Sequence, residues 1–173
     1  ITVGRFVAQK DYETAIKTIA EVKKKYANIH FDLVGYGELE SQIRSWVKQY
    51  GIEDVTTIYI NPHNIPELLN EADVYLSTSL FEGTSNSIME GMNANMPIVC
   101  TNVGDNGYLV ENNKNGFLTS IGDYKNLADR ILDLLNDEHL CKAMGKRSKE
   151  HLQNDYSTEI FRKRYIDVLK NVI

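Results

Sequence analysis

The fold is decided by a strand that leads through a short loop into a helix: residues 74–90, VYLSTSLFEGTSNSIME. The apolar and β-branched run 74–79 predicts a buried strand. Residues 86–95 predict a helix that ends before Pro97, and residues 98–101 predict another strand. A strand, a helix and a strand in this order are typical of parallel strands joined by a crossover helix.

The same alternation extends to both ends of the chain. Further strands are predicted at the start of the chain and at residues 29–34, 55–60 and 117–119. Helices are predicted at residues 11–26 and 39–50, from 64 onward, and at 124–135, 138–154 and 157–171, the last capped by Ser157. This pattern predicts a three-layer α/β/α, Rossmann-like fold with a mostly parallel sheet. A chain of 173 residues can bury roughly 70% of its surface in one core, so we expect a single domain over residues 1–173.

The composition excludes several classes of protein. With 42% hydrophobic and 25% charged residues and a mean hydropathy of −0.35, the chain resembles an ordinary soluble domain. It has no apolar run near the ~20 residues of a membrane span. Nineteen Lys and Arg against 24 Asp and Glu give a net charge of −5, which argues against nucleic-acid binding. Because Cys100 and Cys141 lack CxxC spacing, we expect neither a disulfide nor a zinc site, and a cytoplasmic location.

The first residues, ITVGR, read as the end of a strand, with no initiator Met and no signal peptide. We therefore expect the chain to be one part of a longer protein.

Gly35-Tyr36-Gly37 forms a turn at the carboxyl end of a predicted strand, where α/β sheets bind ligands. A dinucleotide-binding G-x-G-x-x-G turn needs a small residue where this chain has Glu40, and Glu38 would repel a phosphate at the same amides. The alternative, a turn with structural glycines, is favoured. A nicotinamide cofactor is disfavoured.

Residues 82–90 form the most informative stretch. Free N–H groups and the positive end of the dipole at the predicted helix start favour a phosphate. Small residues crowd this position: Gly83, Thr84, Ser85, Asn86 and Ser87. Glu82 and Glu90 would lie ~10 Å or more apart, too far for the paired carboxylates of a retaining glycosidase and suited to two hydroxyls of one extended ligand. The alternative is that the polar residues only cap the helix and both glutamates are solvated.

Cations and a histidine lie in other strand-end segments. Arg5 and Lys10 follow the first strand and could neutralise a diphosphate. His63 lies in a strand-end loop, and the other histidines fit structural roles. We expect no metal, because no spaced set of His, Cys and Asp is found. The last helices carry a basic face that is either solvated or weakly docked on an anionic membrane surface; it comprises Lys142, Lys146, Arg147, Lys149, Arg162, Lys163, Arg164 and Lys170.

These motifs together resemble retaining glycosyltransferase family 4, and specifically the C-terminal, donor-binding domain of its GT-B fold. The matching segments are Val3-Gly4-Arg5 with Lys10, VGYGEL at 34–39, ADVY at 72–75, the E-x7-E signature from Glu82 to Glu90, PIV at 97–99 and NGFL at 115–118. They follow one another in the family's order, from the first residue to the last helix.

The resemblance implies a role for each group around the transferred sugar. Arg5 and Lys10 would hold the diphosphate and stabilise the leaving group as charge develops on it. Backbone amides from Thr84 to Ile88 would meet the phosphate or the sugar. Glu82 would accept hydroxyls of the sugar near its reacting carbon.

For the nucleotide half of the donor, the resemblance implies that Glu90 accepts both ribose hydroxyls. The base would lie against the loop 61–64, which contains His63, and Gly35 would lie in the turn that faces the nucleotide. Members of the family need no metal, and no cofactor is implied apart from the donor substrate, a UDP- or GDP-sugar.

The implied activity is transfer of a sugar, with retention, to a saccharide or lipid-linked acceptor in cell-surface glycan synthesis. The acceptor site would belong to an N-terminal domain that this chain lacks, so the chain alone would bind donor weakly and turn over little. A non-catalytic nucleotide-sugar-binding or protein-interaction domain, an epimerase and a glycogen-synthase-like polymerase of the same architecture are alternatives. A peripheral contact with the inner face of the membrane is a further expectation.

The sequence departs from the family pattern near the signature. Many members carry Phe-Gly where this chain has Thr84 and Ser85, and alanine at the positions of Gly91 and Asn93. We expect these residues to border the sugar pocket and so to affect which sugar is transferred.

Overall fold

The computed structural model describes the backbone of residues 1–172 and the side chains of residues 1–170. Its strands are β1 (Thr2–Arg5), β2 (Phe31–Tyr36), β3 (Thr56–Ile60), β4 (Tyr75–Ser77), β5 (Ile98–Thr101) and β6 (Gly116–Thr119). Its helices are α1 (Tyr12–Lys25), α2 (Glu40–Gln49), α3 (Ile65–Glu71), α4 (Asn86–Asn93), α5 (Asn106–Leu109), α6 (Tyr124–Asn136), α7 (Glu138–Tyr156) and α8 (Thr158–Val172). Two 3₁₀ turns lie at Ala8–Lys10 and Glu53–Val55.

The described strands pair in parallel throughout. β1, β2 and β3 form one ladder in that order, and β4, β5 and β6 form a second. The two ladders meet where the Leu76 amide donates to the Ile1 carbonyl at 2.9 Å. The resulting order is β3-β2-β1-β4-β5-β6, in which the chain changes direction across the sheet between β1 and β4. A crevice for a ligand forms at the carboxyl ends of the strands at such a switch point.

Both faces of the sheet are covered by helices. Because successive strand residues point to opposite faces, neighbours join different cores. Leu33 and Val99 belong to a buried cluster beneath α1, α2 and α6, whereas Val34 and Ile98 belong to a cluster beneath α3 and α4. The structure therefore confirms the predicted three-layer α/β/α arrangement.

β2 extends further than the sequence predicts. The pattern predicts that the strand stops before Gly35, but β2 continues through Tyr36. Gly35 stays in register with Gly4, and Tyr36 with Arg5. Gly35 therefore belongs to β2, where its backbone keeps close contact with β1.

β4 is shorter than the sequence predicts. It ends at Ser77, although the apolar run predicts a strand through Ser79. The Thr78 hydroxyl donates to the carbonyls of Lys10 and Asp11, at 2.9 Å each, and this contact turns the chain toward the loop after β1. Thr78 and Ser79 therefore join the loop at the carboxyl edge of the sheet.

The last helices begin and end close to the predicted positions. The Ser157 hydroxyl accepts from the Ile160 amide at 3.4 Å, which confirms the predicted cap of α8. Some basic side chains of the predicted face are paired, as Lys142 is with Glu138. α8 exposes a set of large apolar side chains: Phe161, Tyr165, Ile166, Val168 and Leu169. Among the described helices, none combines the length and apolar character needed to cross a bilayer.

The contact between α7 and the loop after α4 depends on a glycine. A Cβ atom on Gly145 would lie 1.9 Å from the Asn95 carbonyl oxygen. We expect Gly145→Ala to lower the free energy of unfolding by about 1–3 kcal/mol, because α7 must move away from this loop. Urea unfolding measures the change.

Gly83→Ala is the matched control, because an added Cβ there meets nothing within 4 Å. It should change the free energy of unfolding by less than ~0.5 kcal/mol. Equal losses in the two variants would contradict the packing argument.

Candidate functional site

The loops that follow β1, β4 and β5 come together at the carboxyl edge of the sheet. Arg5 is the last residue of β1 rather than a residue of the following loop, and its side chain is exposed. A guanidinium presented at this edge can bind a phosphate or carboxylate through two parallel hydrogen bonds.

Lys10 and Glu82 form a largely buried ion pair across two of these loops. The Lys10 Nζ lies 2.5 Å from Glu82 Oε1, and the Ser79 hydroxyl donates to the same oxygen at 2.7 Å. The exposed fraction of the side chain is 8% for Glu82 and 18% for Lys10. Glu82 is therefore not the solvated carboxylate of the alternative interpretation, but an acceptor in a fixed position beside a cation.

The position of Lys10 is set by contacts to its backbone and to its aliphatic chain. Besides the two carbonyl contacts of Thr78, Asp11 caps α1 by accepting from an amide of the first turn. A Cβ atom on Gly4 would lie 3.4 Å from Lys10 Cε and 3.2 Å from the Tyr12 hydroxyl, which donates to the Gly4 carbonyl. The absence of a side chain at Gly4 leaves room for the Lys10 chain over the end of β1.

The loop after β5 packs against the segment that begins with Glu82. Gly104 has a φ of 50°, and a Cβ atom there would lie 1.9 Å from the Glu82 carbonyl oxygen. The adjacent Asp105 accepts a hydrogen bond from the Thr84 hydroxyl at 2.7 Å. A third loop therefore holds the signature segment in place.

The start of α4 is capped by its own sequence. The Ser85 hydroxyl accepts from the Ile88 amide at 3.4 Å, and the Ile88 side chain is buried. Because this amide already has a partner, the amides of residues 83–87 are the better candidates to bind an anion. Ligand contacts by Gly83, Thr84, Ser85, Asn86, Ser87 and Ile88 stay predictions.

Glu90 and His63 line one cavity of about 390 Å³ between α3 and α4. Pro62, Leu69 and Asn93 also contribute to its wall. Glu90 itself is exposed at this cavity, and the partial burial of its carboxyl raises its pKa. An apolar wall beside a single carboxylate suits a ligand that combines an apolar face with vicinal hydroxyls, and the volume lies in the range of small-molecule sites.

Gly35 has a structural reason to be a glycine. A Cβ atom at this position would lie 1.9 Å from the Gly4 carbonyl oxygen. This contact agrees with the turn of structural glycines that the sequence favours. A contact between Gly35 and a ligand stays a prediction.

Gly91 does not border the sugar pocket as the sequence analysis expects. It is buried, and a Cβ atom on it would lie 2.7 Å from the ring of Tyr75. The Tyr75 hydroxyl in turn donates to the Val3 carbonyl at the junction of the two ladders. The departure from alanine at Gly91 is therefore explained by the packing of a tyrosine. Asn93 lines the cavity with Glu90, and a contact of Asn93 with the sugar stays a prediction.

Sequence reasoning misses two residues that contact Glu82, namely Ser79 and Gln9. The sequence does not indicate a role for Ser79, because it lies in an apolar run that predicts a strand. Gln9 lies in the loop after β1, and the sequence indicates a role for it only because ligands bind at the carboxyl ends of the strands in such sheets. The spacing of Ser79 and Glu82, three residues apart in a loop, is the one local signal.

Other parts of the structure offer less to a ligand. A depression of about 520 Å³ lies at the C-terminal ends of α1 and α2, away from the carboxyl edge. Its Lys23 and Lys24 are already paired with Asp54 and Glu21. Within residues 1–170, no three His, Cys, Asp or Glu side chains are placed to hold a metal ion.

A model of one protein family matches most of the chain. The match covers residues 1–151 and its description is "Glycosyl transferases group 1". The chain belongs to the group 1 glycosyltransferases. The resemblance to family 4 that the motifs carry is thereby confirmed.

Curated relatives of this glycosyltransferase chain are longer than it is. WcaL of Escherichia coli (strain K12), named as a colanic acid biosynthesis glycosyltransferase, is 27% identical over 180 residues, which cover 98% of this chain and 44% of WcaL. The poly(ribitol-phosphate) alpha-N-acetylglucosaminyltransferase of Staphylococcus aureus (strain COL) is 25% identical over 98% of this chain and 34% of its own length. The chain thus spans less than half the length of these relatives.

The solved structure of an S. aureus TarM variant in complex with fondaparinux, alpha-GlcNAc-glycerol and UDP is similar in fold, with a TM-score of 0.90. It is 25% identical, and the match covers 96% of this chain and 34% of TarM. The architecture of this glycosyltransferase chain is that of the C-terminal half of a GT-B enzyme.

Substitutions in the Lys10–Glu82 ion pair should change the free energy of unfolding in a specific order. Lys10→Met should lower the free energy of unfolding by about 1–3 kcal/mol, because it leaves a buried carboxylate without its counter-charge. Adding Glu82→Gln should recover part of this loss, since an amide needs no counter-charge. Urea unfolding at neutral pH measures both values.

Lys17→Met is the control, because its pair with Glu13 is about one-third exposed. It should cost less than ~0.5 kcal/mol. If the double variant is as unstable as Lys10→Met alone, the loss does not come from an unpaired charge at Glu82.

Proposed function

We propose that this chain is the donor-binding domain of a retaining glycosyltransferase that uses a nucleotide-diphosphate sugar. The observation that carries the proposal is the arrangement at one edge of the sheet. Lys10, in the loop after β1, forms an ion pair with Glu82, in the loop before α4, and a cavity lined by Glu90 and His63 lies beside α4.

Each part of the donor has a chemical match in this arrangement. Arg5 and Lys10 supply positive charge for the diphosphate, and this charge stabilises the leaving group more strongly as the bond to the sugar breaks. Amides at the start of α4 add partial positive charge at the same place. Glu82 accepts a hydroxyl of the sugar, and Glu90 accepts the ribose hydroxyls while the base lies near His63.

We further propose that the acceptor is a saccharide or a lipid-linked saccharide, bound by an N-terminal domain outside this chain. The names of several relatives, which refer to colanic acid, capsular polysaccharide and poly(ribitol-phosphate), support a role in cell-surface glycan synthesis. The UDP in the TarM complex supports a uridine nucleotide as the donor. Without the acceptor half, the chain should bind donor weakly and turn over little.

The place of action belongs to the same proposal. We infer a cytoplasmic enzyme with peripheral contact at the inner face of the membrane, where a lipid-linked acceptor would be available. α8 supports this contact, because its exposed Phe161, Tyr165 and Val168 lie on a helix that also carries Arg162 and Lys163.

Calorimetric titration with UDP and GDP tests the donor site. We expect the chain to bind one of these nucleotides, and Glu90→Ala and Arg5→Ala each to weaken that binding by about tenfold. Each substitution removes a charged hydrogen-bond partner, and such a bond contributes about 1.5–3 kcal/mol.

Glu67→Ala and Arg44→Ala are the matched controls. Both residues are exposed on neighbouring helices and neither lines the Glu90 cavity. Their variants should keep the parent affinity. Failure of the parent chain to bind either nucleotide would favour a protein-interaction domain over a donor site.

A further inference from the structure

The two carboxylate oxygens of Glu82 differ in their surroundings. Oε1 receives the Lys10 ammonium at 2.5 Å and the Ser79 hydroxyl at 2.7 Å. Oε2 has a single described partner, the Gln9 side-chain amide, at 3.5 Å. A carboxylate oxygen accepts two hydrogen bonds readily, so Oε1 is saturated and Oε2 has acceptor capacity left.

Ser79 is built into the protein interior rather than placed at the surface. Its side chain is fully buried, and its carbonyl accepts from the Thr101 hydroxyl at 2.6 Å. The backbone of Ser79 is thereby joined to the end of β5. Of the two carboxylate oxygens of Glu82, the Ser79 hydroxyl contacts Oε1, and the Ser77 hydroxyl lies 3.5 Å from that of Ser79. The contact with Ser79, together with that of Lys10, holds Oε1 against the protein, so Oε2 is the oxygen with acceptor capacity left for a ligand.

Gln9 joins the loop after β1 to the loop after β4. Its side-chain amide donates to the Phe81 backbone carbonyl at 2.8 Å, and its backbone carbonyl accepts from the Leu80 backbone amide at 2.8 Å. The same amide nitrogen that contacts Phe81 lies near Glu82 Oε2. Gln9 therefore keeps the backbone of the Glu82 segment at a constant distance from Lys10.

We propose that Ser79 and Gln9 are positioning residues that fix the Glu82 carboxylate so that Oε2 faces the sugar of the donor. This inference rests on the proposed function and deepens it. Neither residue touches the nucleotide in this scheme. Recognition of the sugar, and not of the nucleoside diphosphate, therefore depends on them.

The test compares a nucleotide with its sugar conjugate in calorimetric titrations of the same chain. The probes are UDP and UDP-glucose, with GDP and GDP-mannose as a second pair. The ratio to measure is the Kd of the nucleotide sugar divided by the Kd of the nucleotide, for whichever of the two probe pairs the parent chain binds. Ser79→Ala should raise this ratio about fivefold, which is the effect of one lost hydrogen bond to a carboxylate. Gln9→Ala should raise it in the same direction, and the Kd of the nucleotide alone should change less than about twofold.

Ser148→Ala is the matched control, because Ser148 is another fully buried serine whose hydroxyl donates, here to the Asn115 carbonyl beyond the opposite end of β6. It should leave the ratio unchanged. Ser79→Thr, which keeps the hydroxyl, should restore most of the discrimination. If Ser79→Ala does not fold, Gln9→Ala carries the test, since Gln9 lies in a surface turn.

The outcomes separate the two proposals. Equal weakening of nucleotide and nucleotide sugar, or no change in either, would overturn the positioning role and leave the donor site standing. A parent chain that binds neither pair at millimolar concentration would overturn the proposed function, and the positioning role with it.

Discussion

The arrangement of the carboxyl edge depends on one interaction, the ion pair between Lys10 and Glu82. It joins residues 72 positions apart and is largely withdrawn from water. A buried ion pair is stable only at short distance and with additional hydrogen bonds, because these contacts must offset the desolvation of both charges. The pair therefore holds the loops after β1 and β4 in one relative position. The loop after β5 is held against them by the contact of Gly104 with Glu82.

The sheet makes this interaction possible. β1 and β4 are neighbours at the point where the strand order reverses, so the loops that follow them open onto the same crevice. Glycines at the edge, such as Gly4 and Gly35, allow backbone and side chains to approach closely. The same geometry leaves Arg5 exposed and places α4 with its amides toward the crevice. The proposed recognition of the donor thus uses the same few contacts that join the loops of this edge.

The layers and most elements could be predicted from the sequence, because apolar periodicity and caps such as Ser157 act locally. The end of β4 could not, since Thr78 bonds to carbonyls of a loop 67 and 68 residues away. For the same reason, the contact of Gln9 with Glu82, 73 residues apart, could not be predicted. Ser79 lies only three residues from Glu82, but its position in an apolar run predicts a strand rather than a loop contact. Gly91 shows the opposite error: a departure next to the signature suggests a role in the pocket, but the residue packs against Tyr75.

We propose that one nucleotide sugar spans the Glu90 cavity and the Lys10–Glu82 pair. A crystal structure of the chain with UDP-glucose bound tests it most directly. We expect ribose hydroxyls at the Glu90 carboxylate, the diphosphate between Arg5 and the start of α4, and the sugar beside Glu82. A ligand in the depression near Lys23, or a nucleotide whose ribose lies away from Glu90, would contradict this placement of the donor.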